Sequence, residues 1–197
     1  MGEPALKLDD TFTYGQYKEW PEEERWELID GEAWAMSSPT NRHQMIVVRL
    51  IRDLAVFLEG KPCIMFPAPF DVLLPKGNED NSKVTTVLQP DLVVYCDRSK
   101  LLEAGARGAP DLVVEILSPT TAKKDLNEKF NLYEGHGVRE YWVIDPAART
   151  ICVYRRGGKG HFDHGEFREP FKDRTKIESR VLEGFAVDPE RLFADLS

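Results

Sequence analysis

The chain has 197 residues, 42% of them hydrophobic and 30% charged, with 34 acidic against 26 basic side chains for a formal net charge of −8. That length and apolar content suit one domain with its own core and exclude a wholly disordered chain. The acidic balance disfavours polyanion binding by the surface at large, although a local basic patch could still do it, and it leaves surplus carboxylates, some available to hold a metal.

No apolar run approaches the roughly 20 residues of a membrane span, so no membrane partner is expected. The opening MGEPALKLDD lacks the basic-then-apolar pattern of a signal peptide. Cys63, Cys96 and Cys152 are odd in number, far apart and set in apolar stretches. They read as reduced core thiols of a cytoplasmic protein, not as a disulfide or zinc framework.

Residues 1–24 are polar and read as an N-terminal arm, leaving 25–197 as a single domain. Asp30-Gly31 lies between two apolar-rich runs, which predicts a β-hairpin because both turn positions tolerate positive φ. From Asn41 to Glu59 the residues Ile46, Val47, Leu50, Ile51, Leu54 and Leu58 recur at intervals of three and four, the pattern of an amphipathic helix closed by Gly60 and Pro62. Strands are expected at 63–66, 70–74, 84–95 and 109–117. The pentapeptide Pro-Asp-Leu-Val-Val occurs at 90–94 and again at 110–114, and such nearly continuous apolar runs suit strands covered on both faces. A helix should start near Ser118–Thr121 and end at Gly135 and Gly137. Residues 140–145 and 150–155 should pair as a hairpin, 156–180 should form a loop or strand pair, and a short helix should close the chain. The order predicts an α/β (α+β) fold with one mixed β-sheet flanked by helices.

Asp91 and Glu115 stand inside apolar strands, where a carboxylate is costly unless it is used. If the two strands are neighbours, both acids can converge on one hard cation, which binds through oxygen ligands. In the following helix Ala122, Leu126, Lys129, Phe130 and Tyr133 share one face, placing Lys129 on the inward stripe, while Lys123 and Lys124 point outward or toward the helix start. Two readings of Lys129 stay open: it stabilises developing charge or orients an attacking water, or it forms a structural ion pair with Asp91, Glu115 or Asp125. His43 is either a contact at the site or a packed, capping histidine. Asp71 is near the site or is a strand-end acid, Gln89 bonds a metal-bound water or is a satisfied strand group, and Glu140 pairs with Arg139 or the second helix.

The series Arg25-Trp26-Glu27-Leu28-Ile29-Asp30-Gly31-Glu32, Arg42-His43-Gln44, Gln89-Pro90-Asp91-Leu92, Ala109 through Pro119, Asp125 through Lys129, Arg139-Glu140-Tyr141-Trp142 and Asp145-Pro146 closely resembles the Uma family of restriction endonucleases. That family lies within the PD-(D/E)XK nuclease superfamily, and the resemblance spans roughly residues 20 to 195. It implies a restriction-endonuclease-like core and metal-dependent hydrolysis of DNA phosphodiester bonds, with Mg²⁺ or Mn²⁺ held by Asp91 and Glu115. The superfamily's usual lysine, two residues after the second acid, would fall at 117, where this chain has Leu117. The resemblance moves that role to Lys129 and suggests Glu32 as an additional N-terminal acid. A homodimer would supply two sites for cleaving both strands. The alternative is a nuclease fold kept as a catalytically inactive binding or assembly module.

Overall fold

The computed structural model describes residues 11–21, 24–118, 124–163, 165–168 and 176–196. Its centre is a six-stranded sheet of order β11-β10-β9-β8-β6-β3, built from β3 (Ile64–Pro67), β6 (Leu92–Tyr95), β8 (Leu112–Ile116), β9 (Glu140–Asp145), β10 (Thr150–Arg155) and β11 (Glu166–Arg168). Only β8 and β9 run parallel in this sheet; the other neighbours are antiparallel. Period-two alternation sends Leu92, Val94, Leu112, Val114, Trp142 and Ile144 into one apolar cluster, and Val93, Tyr95, Val113, Tyr141 and Val143 into another. Both faces of the central strands are therefore covered, which accounts for the uninterrupted apolar runs of the two Pro-Asp-Leu-Val-Val segments.

The first cluster is closed by α2 (Asn41–Leu58), following the short α1 (Tyr14–Tyr17). Thr40 caps α2 with its side chain accepting from the His43 amide, and His43, Ile46, Leu50 and Leu54 face inward. The second cluster is closed by a π-helical turn over Asp125–Lys129 that runs on into α3 (Phe130–His136). Gly137, at φ 91°, ends α3 in the left-handed conformation that a residue with a Cβ disfavours.

A second sheet, order β2-β1-β5-β4-β7, holds the hairpin β1 (Trp26–Ile29) and β2 (Glu32–Ala35) with the two-residue strands β4 (Val72–Leu73), β5 (Val87–Leu88) and β7 (Ala106–Arg107). The hairpin turn places Asp30 at φ 52° and Gly31 at φ 87°, as the Asp-Gly pair requires. A ribbon of β12 (Ile177–Glu178) and β13 (Ala186–Val187) and the short α4 (Pro189–Leu192) complete the chain.

Three expectations are corrected. The described residues form two sheets and a ribbon, not one mixed sheet. The run 84–95 is two strands, β5 and β6, because Pro90 has no N–H to give a ladder. Within the expected arm, described at residues 11–21 and 24, the Tyr14 amide bonds the Val84 carbonyl, and Phe12 and Trp20 stack edge-on. Cys63 and Cys96 are joined in a disulfide, since β3 and β6 pair with Ile64 opposite Tyr95 and the cysteines occupy the next position of that ladder. Cys152 is free. Among the described residues no helix is long and apolar enough to cross a membrane.

Candidate active site

The neighbouring strands β6 and β8 pair with Leu92 opposite Val114, so one step further along the ladder Asp91 stands opposite Glu115. The two carboxyl groups therefore share one face of the sheet at one end of the ladder. Asp91 is held by two donors on the same oxygen: the Ile116 amide donates to Oδ2 at 2.7 Å and His43 Nε2 lies 3.1 Å from it. Glu115 is held likewise, with Lys129 Nζ at 2.8 Å and the Tyr133 hydroxyl at 2.7 Å, both on Oε1. Asp91 Oδ1 and Glu115 Oε2 have no hydrogen-bond partner among the described residues, and both residues line a cleft of about 100 Å³.

Lys129 is 3% exposed and contacts three carboxylates: Glu27 at 2.8 Å, Glu115 at 2.8 Å and Asp125 at 3.4 Å. The π-helical turn makes this possible. Its wider backbone brings Asp125 and Lys129 onto the buried side together with Tyr133, and it turns Leu126 out to 43% exposure. The inward stripe foreseen through Leu126 is thus shifted in phase. Ala122 and Lys123 fall outside the described residues. Lys124, expected to point outward or toward the helix start, bonds Glu27 Oε2 at 2.6 Å.

Glu27 is wholly buried in β1 and receives Lys129 and the Gln89 amide on one oxygen and Lys124 on the other. Burial alone would raise its pKa; the two lysines outweigh that and hold it at about 2. Glu115 is different. Burial pushes its pKa up to about 8, because its attraction to the shared Lys129 is countered by Asp125, Asp91 and Glu27. Lys129 stays charged: burial opposes its charge, but Glu115, Glu27 and Asp125 together raise its pKa well above that of a free lysine.

Asp91, Glu115 and Lys129 thus meet within one cleft region. Glu32 does not join them. It is exposed in β2, opposite Ile29 and beside the hairpin turn, whereas the buried acid of this hairpin is Glu27, two cross-strand pairs further from the turn. The signal for Glu27 was available, a charged residue inside an apolar strand, the same signal that marks Asp91 and Glu115. His43 bonds Asp91 as well as opening the helix, and the Gln89 side chain bonds Arg25, Tyr17 and Asp71. Leu117 is partly buried against the second cluster, and the cation reaches Glu115 from the helix instead.

The donor set fits a small hard cation. Mg²⁺ takes one or two protein carboxylates and fills its remaining positions with water and substrate phosphate, and each acid here offers one untethered oxygen while its other oxygen is clamped. Among the described residues no group of three or more His, Cys, Asp and Glu side chains is placed to hold a metal ion.

The chain matches the model of the Uma2 family, described as putative restriction endonuclease, over residues 14–190. An uncharacterized protein of Synechocystis sp. is 29% identical over 182 residues, 88% of this chain and 87% of that protein. Among solved structures, a putative nuclease belonging to DUF820 from Anabaena variabilis superposes with a TM-score of 0.73 over 94% of this chain and 99% of its own, at 20% identity, a likeness of fold. With a restriction-endonuclease-like core and a family match running from α1 into α4, this chain belongs to the Uma2 family.

Proposed function

We propose that the chain is a metal-dependent endonuclease that hydrolyses phosphodiester bonds of DNA. The observation that carries this reading is the pair of opposed carboxylates, Asp91 and Glu115, each clamped through one oxygen and unpartnered at the other on the same cleft. These two oxygens would hold Mg²⁺ or Mn²⁺, which when bound polarises a scissile phosphate and lowers the pKa of a water. His43 and the Ile116 amide fix the rotamer of Asp91, and Lys129 with Tyr133 does the same for Glu115. Lys129 also supplies fixed positive charge in a dry region, where it favours negative charge developing on the phosphate. Glu27 holds that ammonium group in place through one oxygen and is itself held by Lys124 through the other.

Incubation of supercoiled plasmid and linear duplex with Mg²⁺ or Mn²⁺ tests the reading. The wild type is expected to cleave, to stop on chelation, and to lose about a thousandfold in rate in Asp91→Ala and Lys129→Gln. No cleavage with either metal, or cleavage indifferent to both substitutions, would overturn it. Leu117 at the usual lysine position, together with a Lys129 shared among three carboxylates, favours the second reading, a non-cleaving binding module. That reading predicts no cleavage of either substrate in any condition. One site per chain also leads us to propose a homodimer on duplex DNA, which light scattering with and without duplex would test.

A further inference from the structure

Three cations line the cleft: Arg25, Lys124 and Lys129. Both lysines are consumed by carboxylates. Arg25 forms no ion pair among the described residues. Its Nε and Nη2 both donate to a single neutral acceptor, Gln89 Oε1, at 3.0 and 2.9 Å. A guanidinium carries five N–H donors, so among the described residues three of them have no acceptor and the charge has no counter-ion.

The guanidinium is nonetheless held in a built setting. Gln89 is 7% exposed, and its amide nitrogen donates to Asp71 Oδ1 at 3.0 Å and to the Tyr17 hydroxyl at 2.9 Å. The Tyr17 hydroxyl in turn donates to Asp71 Oδ1 at 3.1 Å. A carboxylate is acceptor-only, so Asp71 fixes which way the Gln89 amide faces and turns its oxygen toward Arg25. Asp71 is thereby linked to Arg25 by hydrogen bonds through Gln89, and among the described residues Arg25 forms no ion pair with it. The main chain of Gln89 meanwhile binds Glu27, and Asp91 follows two residues later. One short segment therefore carries the anchor of the guanidinium and one of the two acids at the floor of the cleft.

Resting on the nuclease reading, we infer that Arg25 is a backbone-phosphate clamp for DNA in this cleft and that Gln89 is its positioning residue. A planar guanidinium with donors free is suited to a phosphodiester, which accepts two parallel N–H bonds. The sequence-independent part of DNA affinity comes from such contacts, and a chain with net charge −8 needs them to be local.

The test is binding of a fluorescent mixed-sequence duplex in Ca²⁺, read as Kd against salt concentration. Arg25→Gln should weaken binding about tenfold or more and reduce the steepness of the logarithmic salt dependence by about one. Arg25→Lys should keep that steepness, because the charge remains, and lose affinity, because the fork does not. Gln89→Leu should likewise lose affinity at unchanged steepness, a separation that damage to the fold would not produce. Arg52→Gln, on the exposed side of α2, is the control and should bind as the wild type does. Equal affinity and equal steepness for Arg25→Gln and wild type overturn the clamp, as does a wild type that fails to bind duplex. Binding that depends on Arg25, with no cleavage in Mg²⁺ or Mn²⁺, would instead overturn the nuclease reading and leave the clamp standing.

Discussion

Two buried glutamates on adjacent parallel strands, Glu115 on β8 and Glu140 on β9, face opposite sides of the same sheet and lead opposite lives. Glu140 is fully buried, and both its oxygens are filled: Oε1 by the Trp142 indole N–H at 2.6 Å, Oε2 by the Ser179 hydroxyl and the amides of Arg180 and Val181 at 3.1, 2.8 and 3.1 Å. Neither alternative weighed for it, Arg139 or the second helix, is its partner; it pins the loop before β13 to the sheet. Glu115 has one oxygen clamped and one untethered on a cleft, with three acids sharing its lysine. A saturated buried carboxylate is architecture. A buried carboxylate left half-satisfied beside solvent carries a cost that structure alone does not repay, and that difference marks the site.

The sharpest way to break the comparison is to remove each acid. Glu140→Ala should cost about 3–5 kcal/mol in urea unfolding, because two buried and two part-buried donors lose their acceptor. Glu115→Gln should cost far less, because its amide oxygen can still accept from Lys129 and Tyr133. If the two losses prove equal, the contrast is wrong.

Next comes pH. In the folded chain Glu115 binds its proton up to about pH 8, against a usual carboxylate value of 4.5. Between those values the native state holds more protons than the unfolded one, so this group contributes stability below about 4.5 that is lost as pH rises toward 8. In chelator, urea midpoints of the wild type should therefore fall relative to Glu115→Gln from pH 5 to pH 8. A constant difference would contradict the assigned shift. The smallest expected effect is at Leu126: replacement by lysine should change stability by no more than about 0.5 kcal/mol, because the π-helical turn exposes it. A loss well above that would restore the unbroken helical stripe.

Much of this was legible beforehand because it is local. The Asp30-Gly31 hairpin, the period of α2 and the 140–155 hairpin depend on turn chemistry and repeat distance, and they stand where the sequence puts them. Asp91 and Glu115 were visible as charges in apolar strands. What escaped depended on long-range register. Cys63 and Cys96 lie 33 residues apart and meet only because β3 pairs with β6. Glu27 reaches the site only because β1 lies over the π-helical turn, and that turn itself breaks the 3.6-residue count by which Lys124 was expected outward or toward the helix start. Glu32 came from the family resemblance alone, whereas Glu27 carried the signal of a charge inside an apolar strand.

Titration calorimetry with Mn²⁺ probes the central claim most directly. The wild type should bind one ion, Asp91→Asn and Glu115→Gln should bind none, and Glu140→Gln should bind as the wild type does. A wild type without binding, or binding that survives both substitutions at the cleft, would contradict it.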